Sequence, residues 1–257
     1  AADLSKVYRV AFGTAETSFD PARVSDLYSN TVNEAIFERL LTYDYLARPA
    51  KLVPMVAEAM PAVTDGGRTY TFHIRKGIFF TPDPAFKGVK RELVAADFAY
   101  TIKRHADPKN RSPWAFMIEG RIAGLDKLIA DAKKTGKFDY DAKIPGLETP
   151  DPYTLVIRLV APDFLFNYSM AHVPFGAMAR EVVEAYGNQI MEHPVGTGPF
   201  RLAEWRRSSR IVLERNPGYR EDYYDERAPA DDPRSQAIAA QLKGRRMPML
   251  DRVEVVI

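Results

Sequence analysis

The chain contains no cysteine, and this absence excludes disulfide bonds, cysteine nucleophiles and thiolate metal sites together. It also lacks any run near the ~18 consecutive apolar residues that a membrane-spanning helix needs. The chain also lacks a large excess of charge of either sign, because 36 Lys and Arg residues against 34 Asp and Glu residues leave a net charge of +2. Since both signs are interspersed, we expect no nucleic-acid-binding face.

The opening residues AADLSKVYRV contain neither the basic segment nor the apolar segment of a signal peptide. Such a start is also typical of a mature chain whose export signal has been removed. The 257 residues correspond to one or two domains, and 46% hydrophobic residues exclude wholesale disorder. The 19 prolines exceed the ~5% average, which favours many turns over a helical bundle.

Near the N-terminus, residues 7–12 are predicted to form a buried strand. Ser25 is then predicted to cap a helix that ends near Thr42, because apolar residues recur every fourth position between them. Asp65-Gly66-Gly67 is a strong turn signal before residues 69–75, which alternate between apolar and polar like a half-buried strand.

Residues 155–159 alternate in the same way and are predicted to close a mixed sheet. Further helices are predicted at 94–104, 120–134 and 179–187, and further strands at 200–205, 210–214 and 250–257. Residues 221–246 are strongly charged and are predicted to form an exposed excursion with a short helix at 235–243. The class is therefore α/β or α+β with a mixed sheet.

No catalytic or metal-binding set emerges from the residues. None of the four histidines has metal-ligand spacing, and the segment GTGPF at 196–200 lacks the features of a phosphate loop. No G-x-S-x-G motif is present. Trp114 lies in a predicted loop, where it is either an apolar wall for a ligand or a plug of the core. This pattern favours a binding protein over an enzyme.

Several segments in order carry a resemblance to one family: FDPARVSD, IFERLLTYD, LVPMVAEAM, DGGRTYTFHIRKGIFF, HPVGTGPFRLAEWRRSSRIVLERNPGYR and LDRVEVVI. Together they resemble the family 5 extracellular solute-binding proteins, the oligopeptide- and dipeptide-binding receptors of ABC importers. The resemblance covers nearly the whole chain. It implies a lobe of the periplasmic-binding-protein type II class, with a mixed sheet and an inserted subdomain.

Family members are two-lobed clamshells of roughly twice this length, so the resemblance implies that this chain is the first lobe and that the second lobe is absent. It divides the chain into a mixed-sheet domain, residues 1–48 and 166–257, and an inserted subdomain, residues 49–165. Ligand is trapped between the lobes by hinge closure, without a cofactor or a metal. Because half a cleft leaves ligand polar groups hydrated, weak or no affinity is expected for this chain alone.

The resemblance assigns ligand contacts to Ala15, Glu16 and Thr17, which match a loop that meets an extended peptide by strand addition. Glu16 either meets a ligand ammonium or is a solvent-facing loop carboxylate. Trp114 matches an aromatic position that lines the peptide site, and this favours the ligand wall over the core plug.

Three functions stay open at this point. The chain is predicted to be part of a receptor that captures short peptides. The predicted partner is the membrane permease of an ABC importer, and the predicted location is periplasmic or extracellular. The first alternative is a non-peptide solute such as haem, a nickel complex, a sugar or an opine. The remote alternative is an enzyme whose catalytic residues lie beyond residue 257. Self-association is also predicted, through a surface that the absent segments normally cover.

Overall fold

The computed structural model describes residues 6–257. The prediction of a processed start rests on residues 1–10 and lies partly outside the described residues. The strands are β1 (Val7–Ala11), β2 (Leu41–Tyr43), β3 (Leu52–Pro54), β4 (Ala62–Thr64), β5 (Thr69–His73), β6 (Leu147–Asp151), β7 (Thr154–Arg158), β8 (Phe200–Arg206), β9 (Arg210–Arg215) and β10 (Arg252–Val256). The helices are α1 (Leu27–Ile36), α2 (Ala95–Ala106), α3 (Leu125–Thr135), α4 (Phe166–Met170), α5 (Arg180–Tyr186) and α6 (Pro233–Leu242).

The first sheet has the strand order β1-β10-β9-β8 and is mixed, as predicted. β1 and β10 are parallel, whereas the β10–β9 and β9–β8 pairs are antiparallel. The prediction that residues 7–12 are buried is wrong, because β1 is an edge strand and Tyr8 is 52% exposed. Parallel pairing places the ends of β1 and β10 at the same edge of this sheet, where the loop after β1 begins.

The second sheet has the order β4-β5-β7-β6 and is antiparallel throughout, so β7 closes a separate sheet and not the mixed one. The turn at Asp65-Gly66-Gly67 joins β4 to β5 as expected, and all three residues have a positive φ. Phe72, Leu155 and Ile157 are fully buried. They face a core that is continuous with the residues packed around α1 and α2.

The two sheets lie on opposite sides of the predicted domain boundaries: the antiparallel sheet falls within residues 49–165, and the mixed sheet falls outside that range. The antiparallel pair β2–β3 bridges the boundary near residue 48. Division of the chain into 1–48 with 166–257 and an inserted 49–165 stays a prediction.

Helix α1 is shorter than predicted, and its N-cap is Asp26 rather than Ser25. It ends at Ile36 instead of near Thr42, because two glycines press against its last turn. The Gly198 N–H donates to the Ile36 carbonyl oxygen at 2.8 Å, and an ideal Cβ on Gly196 would lie 2.0 Å from that oxygen. GTGPF is thus a close-packing segment, and no phosphate loop forms there.

Residues 221–246 leave the mixed sheet as the predicted exposed excursion, with α6 inside it. Tyr223 and Arg246 form a bridge at its base. Arg220, just before it, donates to the fully buried Glu38. Burial raises the pKa of Glu38, and Arg220 opposes that rise. Within residues 6–257, every helix falls short of the length and apolarity required to traverse a bilayer.

Candidate functional site

The loop that follows β1, residues 13–24, is fixed by a buried ion pair. Arg104 at the end of α2 donates from Nη1 and Nη2 to the two carboxylate oxygens of Asp20, at 2.7 and 3.0 Å. Both side chains are almost fully buried. Asp20 Oδ1 also accepts the Ala22 N–H, so the same carboxylate shapes the loop and anchors it to the helix.

A second set of bonds joins this loop to the segment after α2. Arg23 donates to Asn110 Oδ1 at 3.2 Å, and Asn110 Nδ2 donates to the Arg104 carbonyl oxygen at 2.8 Å. Trp114 Nε1 then donates to the Val24 carbonyl oxygen at 2.7 Å. The loop after β1 and the loop that carries Trp114 therefore form one bonded unit.

Trp114 is half-buried and packs against the core at one side. Its ring meets the His172 ring edge-on at 4.4 Å between centroids. The adjacent Phe116 is 65% exposed. Trp114 is thus compatible with both interpretations, core plug and ligand wall, because one part of the side chain packs against the core while another part is exposed. Its role toward a ligand stays a prediction.

Glu16 is not the solvent-facing carboxylate that one alternative expected, since it is only 3% exposed. Its Oε1 accepts hydrogen bonds from Trp205 Nε1 and from the Ser208 N–H. Its Oε2 is buried and has no partner within residues 6–257. The carboxylate thus braces the turn between β8 and β9 while one oxygen stays unused.

Ala15 and Thr17 flank this carboxylate differently. Thr17 is exposed, with its N–H donated to Ser29 Oγ and its hydroxyl donated to Asp26. Ala15 is half-buried, and the backbone groups of Ala15 and Glu16 make no hydrogen bond to any described residue. Free backbone groups at this point are what addition of an extended strand requires. Within residues 6–257, no hydrogen bond joins Ala15, Glu16 or Thr17 directly to Trp114.

Two polar residues near Trp114 escaped the sequence analysis. His172 is half-buried, and burial together with the nearby charge of Arg39 lowers its pKa. Arg39 itself is 2% exposed. A signal was available in the sequence: Glu38-Arg39 is a charged pair inside the apolar run from Ile36 to Leu41, where burial of both charges needs partners.

A separate groove of about 990 Å³ lies between α2, α5 and β6, and none of the predicted site residues lines it. Its rim charges satisfy one another: Arg91 pairs with Asp97 and Glu181, while Lys103 donates to two backbone carbonyl oxygens. Burial raises the pKa of Asp97 to about 6. Because Arg91, Asp97 and Lys103 are already paired, these groups offer a ligand little specific recognition.

Comparison with solved structures defines the fold first. The fold is that of a lobe of the type II periplasmic binding proteins. Haemophilus influenzae OppA, solved in complex with RPPGFSPFR, matches with a TM-score of 0.72 and 22% identity over 100% of this chain and 42% of that one. Helicobacter pylori DppA in complex with the peptide STSA matches with a TM-score of 0.70 and 23% identity, over 97% of this chain and 42% of that one.

The family follows from the sequence match. The family model described as "Bacterial extracellular solute-binding proteins, family 5 Middle" matches residues 51–257, and the chain belongs to this family. The periplasmic oligopeptide-binding protein OppA of Escherichia coli is 28% identical over 80% of this chain and 35% of its own length. The glutathione-binding protein GsiB of Shigella flexneri is 28% identical over 82% and 34%. The chain thus spans about a third of the length of these curated relatives.

Proposed function

We propose that this chain is the part of a peptide receptor that supplies one wall of the ligand cleft, and that the receptor hands short peptides to the membrane permease of an ABC importer. The receptor acts outside the cytoplasm and performs no chemistry on its ligand. The observation that carries the proposal is the family match over residues 51–257. The relatives named for oligopeptide or glutathione binding support the peptide as ligand class.

The geometry supports the same ligand class in two ways. The unpaired backbone of Ala15 and Glu16 suits an extended main chain that pairs as a strand does. Trp114 is held rigidly through its bond to Val24, so its exposed part provides an apolar surface at little entropic cost. Neither feature selects a particular peptide sequence, and this lack of sequence preference suits a receptor that accepts many different peptides.

The primary test uses the protein as its gene encodes it. It is purified under native conditions, its ligand is released with acid, and the released material is identified by mass spectrometry. A ladder of short peptides is expected. A single defined non-peptide solute would reassign the substrate within the family, and product formation from a supplied peptide would contradict the receptor role.

A second test locates the ligand on this chain. The chain has two tryptophans, so two indole N–H signals are expected in a nitrogen–proton NMR spectrum. Addition of tripeptides at millimolar concentration should shift the Trp114 signal, and Trp114→Leu should weaken peptide binding about tenfold. Phe79→Leu, a half-buried aromatic on a different loop, is the matched control. Equal losses in both variants would contradict the assignment of Trp114.

A further inference from the structure

The guanidinium of Arg39 is buried with most of its donors unused. Nη2 donates to Glu34 Oε1 at 3.1 Å and to Thr42 Oγ1 at 3.0 Å. Nε and Nη1 are buried and have no acceptor within residues 6–257. Nε carries one N–H and Nη1 carries two, so three of the five donors lack partners. A buried cation in this condition needs an anion or water to complete its bonding.

His172 lies on the chain segment that runs beside Arg39. The Tyr43 and Tyr168 rings are 6.2 Å apart at one end of the two segments. At the other end, the Ala177 N–H donates to the Glu38 carbonyl oxygen at 2.9 Å. Residues 39–42 therefore lie opposite residues 169–176, which places Arg39 and His172 on facing segments.

His172, on the facing segment, also has a ring nitrogen without a hydrogen-bond partner among the described residues. Its Nε2 is buried and has no partner in the described part of the chain, while the ring packs against Trp114. A neutral imidazole with its proton on Nε2 donates one hydrogen bond. Arg39 and His172 thus lie on facing segments with up to four N–H donors that lack a partner within residues 6–257, and the His172 ring contacts Trp114, the aromatic wall predicted to line the ligand site.

We propose that Arg39 and His172 form a carboxylate-binding subsite beside Trp114. A carboxylate suits the donor set because it accepts several charge-assisted hydrogen bonds and balances the Arg39 charge. Among the described residues, only the 58% exposed Glu34 side chain pairs with that charge. The ligand group would be the C-terminal or an acidic side-chain carboxylate of the peptide. That assignment rests on the proposed function, whereas the existence of the subsite does not.

The test uses sodium acetate as the probe carboxylate and the ring signals of the histidines as the readout. The chain has only four histidines, so each ring is resolved by NMR, and His172→Gln identifies the signal of interest. Acetate should shift the His172 signals saturably, whereas sodium chloride at equal ionic strength should not. His193 is partly exposed and already bonded to Asp83, so its signals should stay in place.

Three variants decide the outcome. Arg39→Gln should weaken acetate binding about tenfold or more. Glu34→Gln removes the competing carboxylate from an exposed position and should strengthen binding about threefold. Arg121→Gln, an exposed arginine paired with Asp163, should leave binding unchanged. If Arg39→Gln does not fold, the comparison of Glu34→Gln with the wild type still tests the subsite.

The proposal is overturned if acetate leaves the His172 signals unmoved in both the wild type and Glu34→Gln, which would mean that water satisfies the donors. Equal shifts with sodium chloride, or unchanged binding in Arg39→Gln, would overturn it as well. The peptide experiments are read at Trp114 and by mass spectrometry, so the two proposals fail separately. Peptide release without an acetate effect would remove the subsite and leave the receptor role standing.

Discussion

The buried pair between Asp20 and Arg104 gives the sharpest test of how the candidate site is held. Asp20→Asn keeps the shape of the side chain and its acceptor for the Ala22 N–H, but it removes the negative charge. Arg104 then stays buried without a counter-charge. Arg23, whose Nε lies 3.5 Å from Asp20, also loses that carboxylate as an ion-pair partner. The substitution therefore isolates the electrostatic contribution.

The expected loss is large because both partners are removed from water. Breaking a buried, bidentate ion pair from one side costs about 3–5 kcal/mol in the free energy of unfolding. Domains of 150–250 residues lose about 2–4 °C in Tm per kcal/mol, so a decrease on the order of 10 °C is expected. The double variant Asp20→Asn with Arg104→Met removes both charges and should lose about 2 kcal/mol less than the sum of the two single variants.

Urea denaturation of the wild type, both single variants and the double variant measures this coupling. Arg121→Gln breaks an exposed pair and should cost less than about 1 kcal/mol. The indole signal of Trp114 should shift in Asp20→Asn, because Trp114 is bonded to the loop that Asp20 anchors. A loss below about 1 kcal/mol in Asp20→Asn, or strict additivity in the double variant, would refute the reasoning.

Two further predictions concern stability. Gly196→Ala should lower the free energy of unfolding by several kcal/mol, because the new Cβ would lie 2.0 Å from the Ile36 carbonyl oxygen. Gly218→Ala, with its nearest neighbour at 3.5 Å, should be near neutral. Similar losses for both variants in urea denaturation would contradict the close approach at Gly196. Burial lowers the pKa of His105 to about 4, so the unfolded chain binds a proton below pH 6.5 that the folded chain rejects. Stability from this group is complete above pH 6.5 and falls as the pH drops toward 4: between pH 7 and pH 5 the wild type should lose about 2 kcal/mol more than His105→Gln. Asp97, with a raised pKa of about 6, acts in the opposite direction but equally in both proteins, and equal losses would show that His105 is not held neutral.

Local patterns predicted the elements whose contacts are close in sequence. The turn at residues 65–67 and the alternation after it located β5, and the spacing of apolar residues located α2 within two residues of its ends. The end of α1 was missed because its cause is distant. Leu40 and Leu41 continue the helical spacing, but the glycines at 196 and 198 stop the helix at Ile36.

The same limit applies to the candidate site. Glu16 was expected at the surface or against a ligand, yet its partner Trp205 lies 189 residues further along the chain, and no local pattern announces that bond. Trp114 was singled out from its position in a predicted loop, and only the family resemblance favoured a ligand wall over a core plug. Arg39 and His172 lie on facing segments because the segment that contains α4 runs beside the one that follows α1.

The parallel pairing of β1 with β10 has a consequence for biosynthesis. Val7 is paired with Arg252, 245 residues later, so the ribosome must deliver those 245 residues before β1 finds its neighbour. At roughly 5–20 residues per second, β1 waits on the order of 12–50 s after it emerges. The antiparallel sheet uses only residues 62–158 and can assemble during that interval. The end of the loop after β1, residues 20–24, can bond to Arg104, Asn110 and Trp114 early, whereas Glu16 must wait for Trp205 and Ser208.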